Sequence, residues 1–214
     1  MTATHVSDRM GPDPNEQELP AGTGNLGMWL FLAALTMLFG ATIVGYTVIR
    51  MRAATWPPAG MPALPLSLIA STVLILASSW TAQGALMAAR AQRHDVLMKG
   101  LLLTFGMGVL FFVSQTVSWI EMFPAIQKIG LRGPVVPGAP LADPTARQFA
   151  FLFYTLTVLH ALHVLGGLVA FALVRFGKLV YSQPVVTLGR VRHAVVYWHF
   201  LAAVWIVLYA VMLI

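Results

Sequence analysis

Five long apolar runs divide this chain, separated by short polar or proline-bearing breaks. The first extends from about Leu26 to Ile49 and stops at Arg50 and Arg52. The second goes from about Leu64 to Ala89, after the breaker WPPAGMPALP, and the third from about Val96 to Ile120, ending at EMFP. The fourth begins near Phe149 and ends at Phe176; the fifth covers about His193 to Ile214. A helix that crosses the hydrocarbon layer needs about 20 such residues, and each run is long enough to do so with tilt. Strands of a membrane barrel would alternate polar and apolar positions, which these runs do not. The pattern predicts an all-α polytopic membrane protein, a bundle of five transmembrane helices.

The breaks differ in kind. Residues 1–25 are polar and hold Asp8, Asp13, Glu16 and Glu18. They lack the basic start and short apolar core of a cleaved signal, so they are expected to form a disordered or extended tail before a 26–214 membrane domain. Residues 122–147 include Pro124, Pro134, Pro137, Pro140 and Pro144, which predicts an extended or turn-rich segment outside the hydrocarbon. The links near 90–95 and 176–192 are short and basic. No internal repeat is visible, so an inverted-repeat transporter has no support.

Composition agrees with the pattern. The chain is 58% hydrophobic and 9% charged, against about 25% charged in soluble domains. Its net charge of +6 would suggest nucleic acid in a soluble protein. Here the basic residues sit at helix ends, where headgroups and topology account for them, and no nucleic-acid partner is expected. With the N-terminus inside, eight Lys and Arg lie on the inner side and five on the outer. That bias predicts a cytoplasmic N-terminus and a periplasmic C-terminus. Trp56, Trp80, Trp119, Tyr181 and Trp198 are expected near helix ends as interfacial anchors. There is no cysteine, which excludes disulfides, iron–sulfur clusters, thiolate-bound copper and covalent haem through this chain.

A polar group in hydrocarbon is costly unless it is partnered, so each one needs a reason. The third run holds Ser114, Gln115, Ser118 and, at its end, Glu121; the fourth holds His160 and His163; the fifth holds His199, with His193 at its start. His160 and His163 are three apart and share one helix face. That spacing can chelate a metal, and it can equally aim two hydrogen-bonding groups at a neighbouring helix. Metal sites need three or four ligands, and only His199 remains in the membrane to join them, which weighs toward hydrogen bonding. Glu121 is the sole carboxylate in or beside a span, so the carboxylate relay of a proton pump is missing. Gly106 with Gly108, and Gly166 with Gly167 and Ala170, would let helices approach closely. No nucleophile elbow, zinc-protease motif or phosphate-binding glycine loop is present.

Together these residues resemble subunit III of the haem–copper respiratory oxidases. HALHVLGG (160–167) resembles that family's H-G-L-H-V-x-x-G, and YWHFLAAVW (197–205) resembles Y-W-H-F-x-x-x-x-W. WLFLAALTMLF (29–39) resembles the first-helix motif, and Gln115 with Trp119 matches the Gln and aromatic of Q-x-x-E-[WY]. Five helices resemble the short bacterial form found in quinol oxidases and some cytochrome c oxidases. Three buried acids of the family are absent: Leu35 or Thr36, Ser118 and Ala202 stand in their places. These departures remove the carboxylates a proton-entry role would use, and leave the scaffold and lipid roles.

The resemblance implies a non-catalytic subunit in a bacterial plasma membrane, part of a terminal oxidase that reduces oxygen to water and translocates protons. It implies no haem or copper on this chain, with both in partner subunits, and binding to the catalytic subunit I and to membrane phospholipid. It further implies a V-shaped, lipid-filled cleft between helices 1–2 and helices 3–5. His160, His163 and His199 would tie helices together or line that cleft, along with Gln115, Glu121 and Trp198. Arg175 would lie near a lipid phosphate, which a guanidinium binds in bidentate fashion. The alternatives are an accessory subunit of a nitric oxide reductase and, from other classes, a small transporter or an intramembrane hydrolase.

Overall fold

A computed structural model describes residues 23–57, 63–127, 144–176 and 184–213. The polar stretch 1–22, most of the proline-bearing segment and the link holding Lys178 and Tyr181 lie outside the described residues. Five helices follow in order: α1 (Thr23–Arg52), α2 (Leu66–Arg90), α3 (His94–Ile126), α4 (Pro144–Phe176) and α5 (Pro184–Leu213). Each is long and apolar enough to cross a membrane, as the five runs predict.

The helices overrun the apolar runs at several ends. α3 continues through Pro124 to Ile126, so the segment expected to be extended is helical at its start. α4 and α5 each begin on a proline, whose missing N–H costs nothing in a first turn. α5 therefore starts nine residues before the expected His193. Between α2 and α3 only Ala91, Gln92 and Arg93 intervene. Gln92 takes φ 56°, the left-handed conformation that ends many helices. The Arg93 N–H then folds back to Ala88 O at 2.9 Å.

α2, α3, α4 and α5 form a closed ring in which each packs on the next and α5 returns to α2. α1 lies outside this ring and, among the described helices, touches only α4 and α5. The expected cleft between helices 1–2 and 3–5 is therefore corrected: α1 and α2 do not touch, and α2 packs most extensively along α3. The reason is local. A three-residue turn folds α2 onto α3, and α2 presents small buried residues to it, among them Ala82, Ala85 and Ala89. A Cβ on Gly100 would stand 3.0 Å from that of Ala85, a close approach only small side chains permit.

Trp198 is the centre of the ring. It is fully buried, so its expected place as an interfacial anchor is also corrected. Its indole fills a slot between α3 and α4: a Cβ on Gly108 would come within 2.8 Å of it, and one on Gly167 within 2.9 Å. Gly166, by contrast, has nothing nearer than the Tyr197 hydroxyl at 3.7 Å. Trp80 departs from the anchor expectation in the opposite sense. It is 84% exposed yet sits near the middle of α2.

Candidate functional site

Buried polar groups run through the ring. Near the start of α2, the Ser67 carbonyl accepts from Ser71 (2.9 Å) and from Ser114 across on α3 (2.8 Å). The Ser118 hydroxyl donates to Ser67 Oγ at 2.7 Å, and Ser67 donates in turn to Glu121 at 2.8 Å. Ser118 and Glu121 thus meet on one serine of the neighbouring helix. Glu121 itself is exposed at this end of α3.

Deeper, three indoles repeat one arrangement. Trp205 Nε1 donates to Thr72 Oγ1 (3.0 Å), Trp198 Nε1 to Ser78 Oγ (2.9 Å), and Trp119 Nε1 to Thr157 Oγ1 (2.9 Å). Each hydroxyl donates back to a carbonyl of its own helix: Leu68, Ile75 and Phe153 respectively. Its lone pairs are then free to accept the indole. Toward the far end of α2, Thr81 and Thr104 join α2 to α3 at 2.8 Å.

The histidines divide. His199 reaches from α5 to α2: its Nδ1 meets Ser79 Oγ, and its Nε2 lies 3.1 Å from Gln83 Oε1. Among the described residues, the nitrogens of His160 and His163 meet no neighbouring helix, contrary to the hydrogen-bonding expectation. His163 Nδ1 donates one turn back to Leu159 O at 2.7 Å. His160 is fully buried and neither nitrogen has a partner among the described residues. It acts as a ring instead, with centroids 5.1 Å from Trp205, 5.8 Å from Phe111 and 6.1 Å from Phe39. Phe39 also meets His163 edge-on at 5.1 Å. The two imidazoles therefore hold α1 against α4, and His160 also joins α3 and α5, through aromatic contact.

Gln115 is fully buried one turn from Phe111, and both its amide atoms lack partners among the described residues. Arg175 sits in the last turn of α4, its Nε buried without a partner among the described residues and its guanidinium 5.0 Å from the Phe176 ring. Beside it, α1, α4 and α5 enclose a groove of about 600 Å³, walled by Met28, Phe31, Ala170 and Tyr197, with Arg190 and His193 among its lining residues. Among the described residues, no three His, Cys, Asp or Glu side chains gather closely enough to hold a metal ion. Sequence reasoning passed over Ser67, Thr72 and Ser78. The sequence displays six hydroxyls on α2 between Ser67 and Thr81, but not which of them meet a partner on another helix.

By class, then, this is a multi-pass helical membrane protein whose internal polar groups mostly join helix to helix. No family model matches the chain. Curated relatives do. It is 30% identical to the cytochrome c oxidase subunit 3 of Synechocystis over 189 residues, 86% of this chain and 72% of that protein. It is 30% identical to the probable cytochrome c oxidase subunit 3 of Mycobacterium tuberculosis over 195 residues, 87% of this chain and 85% of that one. Similarity extends to the cytochrome bo(3) ubiquinol oxidase subunit 3 of Buchnera aphidicola, 23% identical over 84% of this chain. The chain belongs to the cytochrome c oxidase subunit 3 family.

Proposed function

We propose that this chain is a non-catalytic subunit of a haem–copper terminal oxidase in a bacterial plasma membrane, with its N-terminus cytoplasmic. It stabilises the catalytic subunit I, whose haem and copper carry oxygen reduction and its coupled proton translocation, and it retains phospholipid. The observation that carries this reading is the disposition of polar groups. Indoles, hydroxyls and His199 are used in ties between helices. The lipid role moves from the cleft the resemblance implied to the groove beside α1, whose apolar walls and basic residues Arg190 and His193 suit an acyl chain and its phosphate.

Purifying the native complex and recording its absorption spectrum tests the reading. Haem-bearing subunits are expected to copurify with this chain, and removing the chain should leave initial oxygen reduction while shortening operational lifetime. Haem or copper retained by the isolated chain would contradict it. For the lipid role, Arg175→Ala and Arg190→Ala should lower the phospholipid count of the complex by native mass spectrometry. An unchanged count and lifetime would remove that role.

A further inference from the structure

α2 turns a face toward the bilayer that does not suit lipid. Its exposed residues Ile69, Val73, Leu76, Trp80, Gln83 and Met87 recur at alternating spacings of four and three. That is the 3.5-residue repeat by which one helix seats along another. Two members are out of place in hydrocarbon. Trp80 stands two residues from the midpoint of Leu66–Arg90, about 3 Å at 1.5 Å per residue, whereas lipid-facing indoles belong at the interface. Gln83 stands five residues from the midpoint, about 7.5 Å, inside a hydrocarbon half-thickness of about 15 Å. No other exposed carboxamide or charged side chain among the described residues lies as near the middle of its helix.

Gln83 is also held in a particular orientation. An amide oxygen only accepts, so His199 Nε2, 3.1 Å from Gln83 Oε1, carries the proton. His199 Nδ1 is then the acceptor, and the Ser79 hydroxyl donates to it. The chain of hydrogen bonds runs from Ser79 through His199 to Gln83. It ends on the Gln83 amide nitrogen, whose two N–H donors have no partner among the described residues. An acyl chain offers no acceptor at that depth, and lipid ester oxygens lie out at the interface.

We propose that this stripe of α2 is the docking surface for a membrane-spanning helix of another subunit of the oxidase complex, which sets an acceptor oxygen against the Gln83 amide. The proposal rests on the reading of this chain as a complex subunit. Trp80 supplies the large rigid contact, and the polar pair selects the register along the seam.

The test uses the intact complex in its native membrane. A photo-crosslinking residue placed at Leu76 or Met87 should form an adduct with one other subunit, identified by mass. Lipid adducts alone, or adducts between two copies of this chain, would overturn the docking. Gln83→Leu keeps the volume and removes the two donors together with the oxygen that accepts from His199 Nε2, so His199→Phe, which breaks that tie and keeps the amide, is the control. Being exposed, Gln83→Leu should leave helical content unchanged. It should speed loss of this chain from the complex in mild detergent roughly three- to tenfold, and an unchanged rate would overturn the role given to the amide. If the unaltered chain copurifies with no haem-bearing subunit, it is the proposed function that fails. If it copurifies while Leu76 and Met87 label only lipid, the docking surface alone fails.

Discussion

Gly166 and Gly167 are adjacent, both read from the sequence as places of close helix approach, and the structure separates them. Converting either to alanine removes the same backbone freedom and gains about 0.5–1 kcal/mol of helix stability. At Gly166 the new methyl meets only the Tyr197 hydroxyl at 3.7 Å, an ordinary contact. At Gly167 it meets Trp198 Cε3 and Cζ3 at 2.9 Å and Leu201 Cδ1 at 3.4 Å. The indole cannot swing aside, because Gly108 packs on the same ring and Ser78 holds its N–H at 2.9 Å. Overpacking of this kind costs about 1–3 kcal/mol. Gly166→Ala should therefore be neutral or slightly stabilising. Gly167→Ala should fall below it by about 1–3 kcal/mol, the overpacking cost that only the second site carries. Denaturant titration of the chain within its purified complex, read as the midpoint of its release, measures the difference. Equal midpoints for the two variants, or a higher one for Gly167→Ala, would refute the slot.

Other consequences follow from the same contacts. A double-mutant cycle between Trp205→Phe and Thr72→Val should show a coupling of about 0.6–1.7 kcal/mol, the range for hydrogen bonds between membrane helices; no coupling would remove that tie. His160→Phe should keep or raise stability, since it retains the ring and removes two buried nitrogens that lack partners among the described residues. His160→Ala should cost about 3–5 kcal/mol by leaving a ring-sized cavity. Neither should change the haem absorbance of the complex, and loss of haem with every subunit still present would argue for ligation. Ser67→Ala should cost only about 0.5–1.5 kcal/mol, because it removes the hydrogen bonds from Ser118 and to Glu121 while the Ser118 hydroxyl keeps the Ser114 carbonyl at 3.1 Å; the measurement is the denaturation midpoint.

The five spans were legible because the bilayer imposes a length and a composition that few other constraints imitate. Their neighbours in space were not. A resemblance identifies which residues match, but the cleft it implied between helices 1–2 and 3–5 depended on which helices touch. That was decided by a three-residue turn and by alanines on α2. Trp198 was misplaced because α5 begins at Pro184, not near His193, so a residue expected near a helix end lies well inside. The hydroxyls of α2 were overlooked for a physical reason: Ser and Thr can satisfy themselves on a carbonyl one turn back. Their presence in a helix announces no second partner, and only the neighbouring indoles reveal one.

Those indoles carry the specificity of the ring. Between helices in lipid, a leucine against a leucine differs little from a leucine against an acyl chain, so apolar burial cannot choose one rotation or register over another. An indole N–H can choose, because it donates once and accepts nothing. Trp198 and Trp205 lie seven residues apart on one face of α5, and their acceptors Ser78 and Thr72 lie six apart on antiparallel α2. A slip of one turn would strand both donors in an apolar interior at once. Among the described residues, no such indole–hydroxyl pair ties α1 to another helix along its length. It is held by His193 donating to Asn25 at one end, by Arg50 donating to Val211 O at the other, and by the Phe39 ring between them. A helix fixed at its ends and middle but not keyed along its length leaves space beside it, and the groove opens there, at the edge of α1 and not within the ring.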